Sequence, residues 1–165
     1  MAETIRGKGV ISGIAVGQVL LAGQNLDGYL AAYKPGTVDE EQAKANEAIS
    51  AVTEVLLSTI DRLRKEEQTE QAAILEAHRM MVQDPMMAEN IAAKIAATGS
   101  APQGILDAAN EQAQLFEQME DEYFAARAID LRDVGKRIAK YVLGVKEPEI
   151  GTSQVILVGE EIEPS

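Results

Sequence analysis

The sequence predicts a mainly α protein: a helical bundle of two helical hairpins, with a short β-strand segment near each end of the chain. Apolar residues recur at steps of three and four in long runs between residues 38 and 142, which is the spacing of one side of a helix. The chain of 165 residues has no Trp and only 4% aromatic residues, so its core must consist mainly of Ala, Ile, Leu, Val and Met. Small and flexible side chains of this kind suit helix-on-helix packing.

The first predicted segment, residues 1–36, contains strand-like residues followed by a connection. Residues Gly9 to Leu21 are rich in Val and Ile, which favour strands, and the glycines Gly13 and Gly17 oppose a helix. A phosphate-binding glycine loop is the functional alternative, but no lysine and no helix start follow these glycines directly. Turn residues between Asn25 and Gly36 predict a connection.

The second predicted segment, residues 37–144, is the helical bundle. Thr37 and Glu40 have the spacing of a capping box, in which each side chain binds an end amide of the new helix. The apolar stripe that follows predicts a long helix from about Val38 to Lys65. Asp84 and Ser100 are predicted to cap two later helices, because each stands one or two residues before a proline that can occupy the first turn.

A helix predicted from about Thr69 to Gln83 differs from the others, because its apolar residues do not form one stripe. A short helix that is apolar on two sides has more surface to bury than one neighbouring helix can cover. We therefore expect its second side to contact either another part of the chain or a partner.

The third predicted segment, residues 145–165, is a return linker and a strand. The last helix is predicted to end near Gly144, where a left-handed cap is common, and Val155 to Val158 have the pattern of a buried strand. Two short strands make a marginal sheet by themselves. We therefore expect the two strand segments to belong to one incomplete domain, and the chain to be a fragment of a longer protein.

The net charge of −12 limits the classes of partner. Nucleic acid and anionic membranes bind basic patches, so neither is a predicted partner. The charge suits a partner with a basic face, and plain solubility is the alternative explanation. No apolar run approaches the roughly 20 residues that span a bilayer. The absence of cysteine agrees with a cytoplasmic protein.

His78 is the only histidine, and the residues around it match no catalytic motif. It could be a core residue whose ring nitrogens are hydrogen-bonded, an interface residue or a catalyst, and the sequence pattern favours the first two. One histidine supplies too few ligands for a typical zinc site. Glu66, Glu67 and Glu70 could provide a carboxylate pair for acid–base chemistry, although a solvated helix end explains them more simply.

Four stretches of the sequence occur in the order found in one known family. They are SGIAVG, EAHRMMVQDP, DEYFAARAIDLRDVGKRI and VILVGEEIEPS. The most specific is the run from Asp121 to Ile138, where Asp-Glu-Tyr is followed by Arg-Asp-x-Gly-Lys-Arg. The chain thus resembles the amino-terminal part of Enzyme I, the phosphoenolpyruvate-protein phosphotransferase family of the bacterial sugar phosphotransferase system.

The resemblance implies a phosphoryl relay. In that family, phosphoenolpyruvate phosphorylates a histidine with magnesium present, and the histidine passes the group to the small carrier protein HPr. The accepting histidine lies in a Thr-Ser-His motif on a swivelling α/β domain, and this sequence contains no such motif. We therefore expect the strand segments to belong to that phosphohistidine domain. The resemblance also implies that the full-length protein is a cytoplasmic homodimer, formed through its carboxy-terminal domain. The fragment alone should be inactive and should hold no magnesium.

The helical segment matches the HPr-binding subdomain of the family. The resemblance implies HPr contacts at eight positions: Glu70, Ile74, Leu75, His78, Met81, Met87, Arg127 and Asp130. A related module of the nitrogen-regulatory or dihydroxyacetone kinase system is a close alternative. A helical adaptor with no phosphotransfer role is a more distant one.

Overall fold

A computed structural model describes residues 13–14, 16–21, 25–119, 122–145 and 155–158. The chain divides into two compact units, one comprising Met1–Asn25 with Glu147–Ser165 and the other Leu26–Lys146. The helical unit thus begins at Leu26, eleven residues earlier than the predicted boundary after Gly36. The reason is a short helix, Asp27–Ala32, within the predicted connection.

The smaller unit contains a two-stranded parallel sheet. Strand β1, Gln18–Leu21, pairs with strand β2, Val155–Val158, in a register that joins Gln18 to Val155 and Leu21 to Val158. The predicted strand at Val155 to Val158 is confirmed. Of the described residues in the predicted strand region from Gly9 to Leu21, the last four form a strand, while residues 9–12 and Ala15 lie outside the described residues.

The helical unit contains six helices within the described residues, which confirms the predicted mainly α class. The bounds of the helices are α1 Asp27–Ala32, α2 Val38–Lys65, α3 Thr69–Val82, α4 Pro85–Thr98, α5 Ala101–Glu117 and α6 Glu122–Val142. Helix α2 packs against α3, and α5 packs between α4 and α6.

Helix α2 begins at the predicted capping box. The Thr37 hydroxyl oxygen accepts a hydrogen bond from the Glu40 amide at 3.3 Å, and a Glu40 carboxylate oxygen accepts one from the Thr37 amide at 2.8 Å. The apolar stripe of α2 then runs along the centre of the core. Its buried members are Ala45, Ala48, Val52, Leu56, Ile60 and Leu63.

The predicted cap at Asp84 is confirmed, whereas the one at Ser100 takes a different form. The Asp84 carboxylate accepts from the Met86 amide at 2.9 Å, with Pro85 in the first turn of α4. Ser100 stands at the start of α5, but its side chain makes no capping hydrogen bond. Instead, the Glu41 carboxylate of α2 accepts a hydrogen bond from the Ala101 amide at 2.8 Å. A residue from a distant helix therefore satisfies an end amide of α5.

Helices α5 and α6 form a tight antiparallel pair. Gly135 of α6 lies so close to Ala109 of α5 that a Cβ at this position would overlap the Ala109 side chain. Near the connection between the helices, Phe116 and Phe124 make an edge-to-face contact with their ring centroids 5.6 Å apart. Side chains at the start of α6 therefore lie beside those at the end of α5.

Candidate functional site

The candidate site is centred on three charged or polar side chains where α3 meets α6. His78 Nε2 lies 3.4 Å from Asp130 Oδ1, and the Asp130 Oδ2 atom accepts a hydrogen bond from Arg127 Nη1 at 2.9 Å. Arg127 and Asp130 are one turn apart on α6, whereas 52 residues separate His78 from Asp130. The fold therefore brings together three residues that the sequence predicted as functional.

The geometry suits recognition more than covalent chemistry. The His78 residue is only 7% exposed, while the Arg127 and Asp130 side chains are partly accessible at the surface. Asp130 can orient the imidazole ring, and Arg127 can orient the carboxylate in turn. Within the described residues, no three His, Asp or Glu side chains come together in a way that could hold a metal ion.

One outward-facing side of α3 continues from this group. Glu70, Ile74 and Met81 recur at steps of four and seven, which place them on the same side of the helix. Glu70 is exposed, Ile74 is 48% exposed, and Met81 is partly buried against the core. His78 borders this side, since it lies between the exposed residues and the buried Leu75. This side of α3 therefore has an acidic residue near the start of the helix and apolar residues further along, with the Asp130–Arg127 pair next to His78.

Two of the eight predicted contact residues pack in the core. Leu75 is 6% exposed and lies on the same side of α3 as the buried Ala72, and Met87 is 1% exposed and continues into the buried Ile91 and Ile95 of α4. Both side chains help to hold the exposed residues in place, and their contact with HPr stays a prediction.

Sequence reasoning missed a second group of exposed apolar residues, which lie near the start of α4 and the end of α5. Met86 is 72% exposed, and Leu115 and Met119 near the end of α5 are also exposed. The Asn90 side chain donates to the Ala108 carbonyl at 3.4 Å, and Gly104 lies against Ile95, so α4 and α5 run antiparallel. Met86 in the first turn of α4 and Leu115 near the end of α5 therefore lie at the same end of this pair of helices.

A sequence signal for Leu115 did exist. It follows the buried Ala101 and Ala108 at two steps of seven, so it continues the core-facing side of α5 beyond the point where the core covers it. Exposed apolar residues that continue a buried stripe often mark a contact surface.

A separate buried cluster surrounds Glu41, whose side chain is fully inaccessible. Its carboxylate accepts hydrogen bonds from the Tyr33 hydroxyl at 2.7 Å, the Gly36 amide at 2.9 Å, the Ala101 amide at 2.8 Å and Lys44 Nζ at 2.6 Å. Burial by itself raises the pKa of Glu41, but the Gly36, Lys44, Ala101 and Tyr33 hydrogen bonds outweigh it and lower the pKa to about 2. The cluster joins the chain before α2 to α2 and α5, so its role is structural.

The comparisons with known proteins agree with this architecture. The family described as "PEP-utilising enzyme, N-terminal" matches residues 6–127. The chain belongs to this family. It is 32% identical over 168 residues to a phosphoenolpyruvate-protein phosphotransferase of Staphylococcus carnosus and 30% identical to one of Priestia megaterium. In both comparisons the alignment covers 100% of this chain, which spans 29% of the length of each relative.

Two solved structures share the fold. A solution NMR structure of an Enzyme I protein superimposes with a TM-score of 0.74 at 29% identity, covering 92% of this chain and 63% of that one. The N-terminal domain of the nitrogen Enzyme 1 superimposes with a TM-score of 0.70 at 19% identity, which supports the fold alone. The resemblance to Enzyme I predicted from the sequence is confirmed. Within the described residues, no helix has both the length and the apolar character needed to cross a bilayer.

Proposed function

We propose that this chain provides the docking surface for HPr in a phosphoenolpyruvate-protein phosphotransferase. The observation that supports this most directly is the Arg127–Asp130–His78 group, which lies beside the exposed apolar side of α3 in a chain of this family. The curated relatives are named as enzymes that transfer phosphate from phosphoenolpyruvate to protein. Such an enzyme must bind a protein acceptor close to its phosphohistidine.

The surface has the composition expected of a transient protein interface. Ile74, Met81, Met86 and Leu115 provide apolar contacts, and methionine adapts to a partner that must bind and leave repeatedly. Charged groups border the apolar residues, as is usual for such interfaces. The chain has a net charge of −12, which would attract a partner with a basic face and speed the encounter.

The chain by itself is proposed to bind HPr but not to carry phosphate. His78 is buried and held by Asp130, so its Nε2 atom is not positioned to attack phosphoenolpyruvate. We assign magnesium binding and phosphoryl transfer to other parts of the full-length enzyme, as the resemblance to the family implies. The chain would position HPr, and the phosphohistidine domain would deliver the phosphoryl group.

An NMR titration of isotope-labelled protein with HPr at low salt tests this function. We expect shift changes at the exposed residues of α3, at Met86 and around Leu115 and Arg127, with none at Asn46 or Glu47 on the exposed side of α2. Well-dispersed spectra that do not change at any HPr concentration would refute the docking role. Changes spread evenly over the bundle would refute the proposed location.

Two matched variants sharpen the test. Met86→Asp places a charge among the exposed apolar residues and should weaken HPr binding by roughly 1–3 kcal/mol, the effect of losing an interface anchor. Met80→Asp makes the same change at a 64% exposed residue of α3, on the side turned away from α6. It should leave HPr binding unchanged. Equal effects of the two substitutions would show that charge alone, and not the surface, controls binding.

A further inference from the structure

We propose that Met86 and Met119 form an oxidation-sensitive site, at which a peroxide converts the thioethers to sulfoxides and thereby weakens docking of the carrier protein. This inference rests on the proposed function, because it assigns a regulation to the same surface. The observation behind it is the contrast among the methionines of the chain. Met86 is 72% exposed and Met119 is exposed, whereas Met87, the neighbour of Met86 in sequence, is 1% exposed.

The chemistry needs only the thioether and the oxidant. A sulfur lone pair of Met86 attacks one peroxide oxygen, the S–O bond forms as the O–O bond breaks, and the displaced hydroxide leaves as water after proton transfer. Sulfur is oxidised by two electrons and the peroxide is reduced. Exposure controls the rate, so Met86 and Met119 should react well before Met87. The chain has no cysteine, so no thiol competes for the oxidant.

The consequence follows from where these methionines lie. Met86 stands in the first turn of α4, and Leu115 and Met119 stand near and just past the end of α5, so the antiparallel pair places the three exposed side chains at the same end of the bundle. A sulfoxide replaces a flexible apolar side chain with a polar one, which must lose bound water when a partner covers it. Met80 is also exposed, but on the side of α3 turned away from α6, so its oxidation should not affect docking.

The experiment compares HPr binding before and after oxidation of this chain alone. The protein is treated with hydrogen peroxide, the peroxide is destroyed with catalase, and peptide mass spectrometry measures the extent of oxidation at each methionine. HPr, which is never exposed to peroxide, is then titrated by calorimetry. We expect sulfoxide at Met86 and Met119 before Met87, and a Kd about tenfold higher. Reduction by methionine sulfoxide reductases should restore the original Kd.

Variants identify the residues responsible. The double variant M86L/M119L is compared with its own untreated sample, and its Kd should not change on peroxide treatment. Met80→Leu should stay as sensitive to peroxide as the natural sequence. An unchanged Kd with Met86 and Met119 fully oxidised would overturn the proposal, as would equal rates of oxidation at Met86 and Met87. If the untreated protein did not bind HPr at all, the proposed function would itself be wrong and this inference would fall with it.

Discussion

Replacement of Glu41 by Gln tests the buried carboxylate that joins α2 to α5. All four partners of Glu41 donate hydrogen bonds: Gly36 and Lys44 to Oε1, and Tyr33 and Ala101 to Oε2. The Gln side chain has the same shape, but its amide nitrogen cannot accept a hydrogen bond. Whichever way the amide turns, one backbone amide, of Gly36 or of Ala101, loses its acceptor.

The expected loss of stability can be worked out in two ways. An unsatisfied buried amide costs about 1–3 kcal/mol, and hydrogen bonds to a charged group contribute more than those to a neutral one. A pKa lowered from 4.5 to about 2 by folding corresponds to roughly 3 kcal/mol at neutral pH. We therefore expect the variant to be about 2–4 kcal/mol less stable at pH 7.

The pH dependence has a definite sign. Because the folded pKa is below the unfolded one, the stabilisation is complete above the unfolded pKa and is lost as the pH falls through the folded value of about 2. The difference between natural protein and variant should therefore shrink as the pH is lowered. Urea unfolding followed by circular dichroism at 222 nm, at pH 7 and at several lower pH values, measures this difference.

Replacement of Glu47 by Gln provides the control, because Glu47 lies on the exposed side of the same helix. It should change the free energy of unfolding by less than about 0.5 kcal/mol. If Glu41→Gln were as stable as this control at pH 7, or if its deficit did not decrease in acid, the proposed role of the buried carboxylate would be wrong.

Three further substitutions test the packing and the site. Met87→Ala should lower stability by about 2–5 kcal/mol through a core cavity, while HPr affinity per folded molecule stays the same. A weaker affinity would show that Met87 contributes to the contact with HPr. Gly135→Ala should destabilise the bundle by about 1–3 kcal/mol through overlap with Ala109, and a more stable protein in urea unfolding would contradict the close approach of α5 and α6. Asp130→Asn should weaken HPr binding in calorimetry with little loss of stability, and an unchanged Kd would remove the His78–Asp130 contact from the site.

Local sequence patterns predicted the helices well. Thr37 and Glu40 bind each other's amides as expected, and Gly99 ends α4 in the left-handed conformation that glycine favours. These features depend on residues close together in sequence, so sequence spacing contains the information needed. The partly apolar character of α3 also predicted that it would be covered on more than one side.

Sequence patterns did not reveal the features that depend on contacts between helices. Met86 and Met87 are adjacent, and a step of one residue turns a side chain by about 100° around the helix axis. Only the orientation of α4 after the break at Asp84 decides which of the two faces the core. Glu41 resembled an ordinary acidic residue in the first turn of a helix, because its partner Ala101 lies 60 residues further along the chain.

The contact between Glu41 and Ala101 also has a consequence for the exchange of backbone amides with solvent. Amides at the start of a helix usually exchange fast, since the first turn opens and closes locally. The Ala101 amide is the first in α5, yet it is bonded to a buried carboxylate of α2, and the residue is fully buried. Its exchange requires the two helices to separate. We therefore expect the first amide of α5 to exchange as slowly as those in the middle of α2, which would make a helix end one of the best reporters of cooperative opening of the whole bundle.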